Sequence, residues 1–380
     1  MNEKEKQLGI WLSQIADELN ITDTMLKKSI ESYEAVGKWL ADGIPFDVKI
    51  EPQGSMSLGT VTRPVSDKDE YDVDLVCLLK NGSSLPLNRI KHLVGDRLKA
   101  HGIYQHMLEE EGKRCWTIQY EEFHMDILPC VPKDIYYVEP YLTSIRLTHK
   151  NERGAYESRF SNPHAYHTWF EERMQDVLHA EKRKYAAKDN VDIAKVPTYK
   201  VRTPLQKAIQ LLKRHRDILF EKDDIDAPIS IIITTLAALA YDGESNVYEA
   251  LCNIIRKMPQ FIEKRDGRYW IANPVMREEN FADKWNEDPN KVSAFTHWLR
   301  KANKDLIMDP LGCFGQDNLA KQYKQVLGKA PVERALTALG HNMRLDRQNG
   351  NLYMNGLTGG FTTTPSATSK PVKDHIFYGE

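Results

Sequence analysis

Tyr71-Asp72-Val73-Asp74-Leu75-Val76 is the stretch on which the reading of this chain turns. Its polar and apolar residues alternate at period two, the mark of a β-strand with one face in a core. Asp72 and Asp74 therefore project from one face, while Val73, Leu75 and Cys77 turn to the other. Two carboxylates side by side on an apolar strand repel each other and lose hydration, and a divalent cation relieves both problems. Oxygen-only ligands favour magnesium or manganese. A strand end whose acids merely face water has the same spelling, so Asp-x-Asp decides nothing by itself.

Two neighbouring segments add to it. Upstream, Phe46, Val48 and Ile50 alternate as a strand that runs into Gln53-Gly54-Ser55-Met56-Ser57. That small-residue turn can present N–H groups and a hydroxyl to phosphate oxygens. Downstream, in Phe123-His124-Met125-Asp126-Ile127-Leu128-Pro129, alternation sets Asp126 opposite Phe123, Met125 and Ile127. A third carboxylate placed so can reach the same cations. Asp67, Asp69 and Glu70 read as a solvated charged loop, and His124, His164 and His215, lacking metal-ligand spacing, read as structural.

Around this centre, Leu8, Trp11, Leu12, Ile15 and Leu19 predict an opening amphipathic helix, and Thr22 or Thr24 caps a second that stops at Gly43. A helix is predicted over Leu87 to Ala100 and strands over Cys115 to Tyr120 and Phe123 to Leu128. This is an α+β pattern. Beyond about residue 160 the strand signals fade and helices are predicted at 162–180, 203–220, 227–241, 246–258, 290–306 and 331–345. Thr203-Pro204 is a good helix start, a capping hydroxyl followed by a residue with no N–H to satisfy. The expected organisation is a catalytic core with N-terminal helices over 1–200, a helical domain over 201–355, and a mobile Gly/Thr/Ser/Pro-rich tail over 356–380.

With 380 residues, 41% hydrophobic and 28% charged, the chain has the balance of a globular protein of two domains. Its longest apolar stretch, Ile229 to Tyr241, is too short to span a bilayer, and its N-terminus does not read as a secretory signal. Five scattered cysteines fit neither a zinc site nor a full disulfide framework, so a reducing cytoplasm is expected. The net charge of −2 hides eleven Lys or Arg against three acids between Glu181 and Arg216, which points to a polyanionic partner or to a solvated helix surface.

The Gly-Ser, Asp-x-Asp, later-Asp order resembles the polymerase-β-like nucleotidyltransferase superfamily. Thr198-Tyr199-Lys200-Val201-Arg202-Thr203-Pro204-Leu205-Gln206, then Leu211-Leu212-Lys213-Arg214-His215-Arg216-Asp217, resembles the bacterial CD-NTase family, relatives of animal cyclic GMP-AMP synthase encoded in CBASS antiphage operons. Pro228-Ile229-Ser230-Ile231-Ile232, Asn273-Pro274 and Asn280-Phe281-Ala282-Asp283-Lys284-Trp285 fit the helical part of that family. The resemblance implies a polymerase-β-like core with a mixed sheet packed against a C-terminal helical domain. It implies two Mg²⁺ (or Mn²⁺) ions on Asp72, Asp74 and Asp126, with Asp126 also orienting or deprotonating the attacking hydroxyl. Gln53, Gly54, Ser55, Lys213 and Ser230 are the expected nucleotide-binding residues, and ATP, GTP or both the expected substrates. The sixteen residues between Ser55 and Asp72 exceed the minimal spacing of the superfamily. With no His/Cys cluster like the zinc ribbon of the animal enzymes, no zinc and no activation by DNA are expected.

The product implied is a cyclic di- or trinucleotide messenger. The C-terminal Phe377-Tyr378-Gly379-Glu380 is similar in kind to tails captured by an E1/E2-like conjugating partner. Two other readings stand beside this one: a transferase acting on an RNA end, small molecule or protein, and an inactive nucleotide sensor.

Overall fold

The structure, a computed structural model, describes the chain apart from residues 1, 67–69, 135–142, 190, 197–199, 222–226, 356–360, 364, 366 and 374–380. It opens with α1 (Glu3–Glu18), where the Asn2 side chain accepts from the Glu5 N–H and the Glu5 carboxylate from the Asn2 N–H. Thr22 caps α2 (Asp23–Gly43), its hydroxyl accepting from the Met25 N–H. Then follow β1 (Val48–Pro52), α3 (Gly54–Leu58), β2 (Tyr71–Leu79), α4 (Leu87–Lys99), the single turn α5 (Tyr104–Met107), β3 (Trp116–Gln119), β4 (Phe123–Pro132), β5 (Ile145–Lys150) and β6 (Tyr156–Ser161). The glycine-serine turn is thus a short helix, a shape that five residues are too few to betray by period.

All six strands form one mixed sheet in the order β1-β2-β4-β5-β6, with β3 beside the first half of β4 and β5 beside its second half. Only β2 and β4 run parallel. A parallel pair needs a crossover, and α4 lies within it, burying Ile90, Val94 and Leu98 against Val73, Leu75, Phe123, Met125 and Ile127. The sheet face opposite the acids is therefore dry throughout, while the acid-bearing face is dry only beyond Asp74 and Asp126, at Val76, Leu78, Leu128 and Cys130. The register that results sets Asp72 beside His124 and Asp74 beside Asp126.

Beyond the sheet the expected helix over 162–180 is two, α6 (Pro163–Glu172) and α7 (Gln175–Asp189), followed by α8 (Pro204–Phe220), α9 (Ser230–Ala240) and α10 (Val247–Lys257). Two hairpins without sequence signal come next, β7 (Glu263–Arg265) with β8 (Arg268–Trp270) and β9 (Ala272–Asn273) with β10 (Met276–Asn280). Then α11 (Pro289–Asn303) runs through a π-helical turn, Lys304–Met308, into α12 (Asp309–Gly312), α13 (Gln316–Leu327) and α14 (Lys329–Gln348). Most of these helices share one core, built on Leu205, Ile209, Ile233, Leu251, Trp298 and Tyr323, while α7 packs Leu178 and Ala186 with Val196 and Val201. Trp285 is packed inside it, its ring 5.1 Å from Phe295. The first helix joins them: Leu8, Trp11, Leu12 and Ile15 are buried in the helical core, so α1 packs with the second half of the chain although it opens the first. No helix among the described residues is long and apolar enough to cross a membrane.

Part of the segment expected to be mobile is ordered. β11 (Tyr353–Asn355), β12 (Phe361–Thr362) and β13 (Ser369–Pro371) form a small antiparallel sheet in the order β12-β11-β13. Its bonds run between backbones, which polar side chains do not advertise. The terminal Phe377-Tyr378-Gly379-Glu380, and the conjugating partner expected there, lie outside the described residues.

The sheet and the helices are joined along α8, opened by a Thr203–Gln206 capping box. Gln206 Nε2 donates to Leu58 O (2.9 Å), Gln210 Nε2 to Val61 O (2.7 Å), Lys213 Nζ to Thr60 O (3.3 Å) and Arg214 to Arg63 O and Pro64 O. All four side chains are buried. Gln210→Ala strips a donor from a buried carbonyl and should lower the unfolding free energy by about 1–3 kcal/mol. In urea this appears as an earlier midpoint with an unchanged slope.

Candidate active site

A cleft of about 690 Å³ lies between the acid face of the sheet and α8 with α9. Asp72 and Asp74 form part of one wall, Gly54 and Ser55 another, and Lys213, Arg216 and Ser230 the side opposite the acids. Strand alternation delivers the two acids as expected: Val73, Leu75 and Cys77 are fully buried on the core side. Asp126 borders Asp74 from the next strand, their backbones about 4.8 Å apart as adjacent strands are.

Negative charge here is incompletely balanced. Burial, then Asp72 and Asp126, push the Asp74 carboxyl up to about 7, against a smaller pull from Lys213. Asp72 stands at the rim, yet the protein around it and then Asp126 raise its pKa, while His124 and Lys213 act in the other direction. Lys213, 5% exposed, is depressed to about 8, chiefly by burial and then by Arg216, with Asp217, Asp74 and Asp72 opposing the shift. Its Nζ lies 3.3 Å from the Thr60 hydroxyl.

Gly54 has a left-handed backbone (φ +57°), and a Cβ added to it would stand 2.5 Å from Asp74 Oδ2. The Asp74 carbonyl also accepts from the Gln53 N–H at 2.8 Å. The Gly54-Ser55 turn and the carboxylate strand are thus in direct contact, a closeness only glycine permits. The Gln53 side chain is not part of the cleft wall.

Oxygen-only donors and an unbalanced buried carboxylate fit a hard divalent cation. As the side chains stand, no three acid, imidazole or thiol groups among the described residues close around one point. Magnesium commonly takes one or two protein carboxylates and completes its shell with water and substrate phosphates, so a partial protein cage suits it.

Residues 48–130 match the nucleotidyltransferase domain of the DncV-like cyclic GMP-AMP synthases. A c-di-GMP synthase from Roseivirga ehrenbergii is 31% identical over 383 aligned residues, which cover 98% of each chain. The chain belongs to the bacterial CD-NTase family. It is a nucleotidyltransferase, an enzyme of cyclic dinucleotide synthesis. The cyclic dinucleotide synthase CdnG of Bradyrhizobium diazoefficiens is 24% identical over 89% of this chain and 84% of its own. The fold agrees with the solved CdnG structure in complex with GTP, at TM-score 0.70 and 22% identity over 88% of this chain and 99% of that one.

The structure of this CD-NTase also resolves ambiguities of register. Lys213 and Arg216 both face the cleft, one turn apart on α8, while Arg214 is turned onto the carbonyls of Arg63 and Pro64. Arg216 donates to Ser230 Oγ and Pro228 O, both at 2.9 Å, and pairs with Asp217 at 2.6 Å. Glu70, read from sequence as solvated, instead pairs with His124 at the cleft edge. His215, apparently partnerless, is buried with Nε2 3.2 Å from Asp305 Oδ2. Among the residues of the basic segment, Lys184, Lys200, Arg202 and Lys207 line one cavity together with acids, Lys200 pairing with Asp23 and Lys207 with Asp17, while Arg214 is buried elsewhere.

Sequence reasoning named Lys213 ahead of Arg216, and both line the cleft. It gave no sign of Thr60, which the path of the chain after α3 brings to the same cleft.

Gly54→Ala is expected to cost about 1–3 kcal/mol of stability through backbone strain. By displacing Asp74 it should slow turnover on the order of 10²-fold. A stability loss with unchanged turnover would separate the turn from the chemistry.

Proposed function

We propose that this enzyme condenses two molecules of GTP into a cyclic dinucleotide, with Mg²⁺ held by Asp72, Asp74 and Asp126. The observation that carries the reading is that Asp72 and Asp74 line a cleft together with a buried lysine, with Asp126 beside Asp74 on the neighbouring parallel strand. Guanosine is supported by the c-di-GMP synthase of Roseivirga ehrenbergii and by the GTP in the Bradyrhizobium diazoefficiens complex. A messenger role in CBASS antiphage signalling inside the cytoplasm is supported by the family alone.

Cations in this place supply Lewis-acid stabilisation of the triphosphate and of the attacking oxygen. The protein's part follows from its charges. Lys213 and Arg216 attract the triphosphate tail, and the N-terminus of α9 with the Ser230 hydroxyl adds donors. Gly54 and Ser55 hold the phosphates against the acid face. A ribose hydroxyl then attacks the α-phosphorus, its proton passing to Asp126, while the bond to the β-phosphate breaks and pyrophosphate leaves. A second attack within the linear product closes the ring and releases a second pyrophosphate.

The test is purified enzyme with all four NTPs and Mg²⁺ or Mn²⁺, the products separated by chromatography and identified by mass. A phosphatase-resistant product containing only guanine is expected, lowered on the order of 10²-fold or more in Asp72→Ala/Asp74→Ala. A product that forms only with an added RNA, small molecule or protein acceptor would favour the transferase reading. GTP binding without turnover in either metal would favour the sensor.

Metal affinity should also depend on acidity. Asp74 must lose its proton to hold a cation, and its carboxyl titrates at about 7. Below that value proton and metal compete, so the Mg²⁺ concentration for half-maximal rate should rise about tenfold per pH unit. Well above it the dependence should flatten.

A further inference from the structure

We infer that Thr117 is the positioning residue of Asp126, fixing the carboxylate through a hydrogen bond from the neighbouring strand. The inference rests on the reading that Asp126 works at the reacting centre.

β3 lies antiparallel to β4 with Thr117 directly opposite Asp126. Thr117 Oγ1 stands 2.5 Å from Asp126 Oδ1. An ionised carboxylate only accepts, so the single hydroxyl proton is committed to Asp126. Bonds of this kind, short and to a charged acceptor, are about twice as strong as neutral ones. The threonine oxygen keeps its capacity to accept, and Cys115 Sγ lies 3.9 Å from it.

The donor is itself held in place. Threonine is branched at Cβ and has few side-chain conformations in a strand. Its neighbours Trp116 and Ile118 are buried, and the Trp116 indole donates to Lys91 O at 3.0 Å, so β3 is anchored on both sides of Thr117. A carboxylate free to turn would present its second oxygen toward Asp74 only part of the time. Gripped at one oxygen by a fixed donor, Asp126 keeps a single orientation beside Asp74.

Thr117→Val keeps shape and branching but removes the donor, whereas Thr117→Ser keeps the donor. Thr117→Val is expected to lower kcat about 10- to 100-fold, the usual cost of losing such a support. KM for GTP should stay within about twofold, because the triphosphate is held from α8 and α9. Thr117→Ser should restore most of the rate. Calorimetric titration of Mn²⁺ with a non-hydrolysable GTP analogue should show about tenfold weaker metal binding in Thr117→Val. Added to Asp126→Asn, the valine change should cost nothing further. Urea unfolding checks the fold, and Thr117→Ala repeats the test should valine disrupt β3.

Wild-type kcat and Mn²⁺ affinity in Thr117→Val, beside an inactive Asp126→Asn, would overturn the inference and leave the catalytic reading standing. A serine variant as slow as the valine one would overturn it too, by showing that shape matters and the donor does not. Full activity in Asp126→Asn would overturn the catalytic reading and this inference with it.

Discussion

Peptide carbonyls buried between Leu58 and Pro64 need donors, and four side chains of α8 supply them. Most of the site's geometry follows from that requirement. The chain leaves α3, enters the seam between sheet and helices, and would strand its polar backbone there without Gln206, Gln210, Lys213 and Arg214. Meeting those carbonyls fixes both the rotation and the height of α8. Lys213 and Arg216 then reach the cleft as a consequence, and α3 is pressed against Asp74 at the one position whose backbone and missing side chain allow it.

The site so assembled is unsatisfied in two senses at once. Asp74 is pushed upward and Lys213 downward, and burial is the largest cause of both. The two groups offset each other only in part, since each shift survives the other's presence. A ligand bringing a cation to the acids and a polyphosphate to the lysine relieves both strains in one binding event. Free GTP leaves the carboxylates uncompensated, and a cation alone leaves Lys213 so.

What could be read from sequence was whatever a dry face imposes on a short period. Residues 71–76 and 123–128 showed their strands because one side of each is buried, and the same alternation placed Asp72, Asp74 and Asp126 on the other side. Thr203-Pro204 announced α8 because a capping box is written in local order. Features set by distant neighbours were not legible. β6 is largely exposed on both faces at the sheet's edge, and Glu70 meets His124 only because β2 and β4 pair in parallel. The surroundings of the dense basic segment were hidden for a related reason: a count along the chain does not show which acids its charges meet. The tail strands pair through backbone hydrogen bonds, which side-chain identity does not report.

The double duty of α8 also limits how this enzyme can diversify. Its first three turns grip the Leu58–Pro64 segment, and Lys213 and Arg216 on it line the cleft. One residue inserted between Gln206 and Lys213 would rotate everything beyond it by about 100° and lengthen the helix by about 1.5 Å. The grips and the cleft-lining cations would then no longer share a stripe. Changes of nucleotide preference in this scaffold are therefore confined to substitutions and to loops elsewhere around the cleft, with the length of this helix held constant.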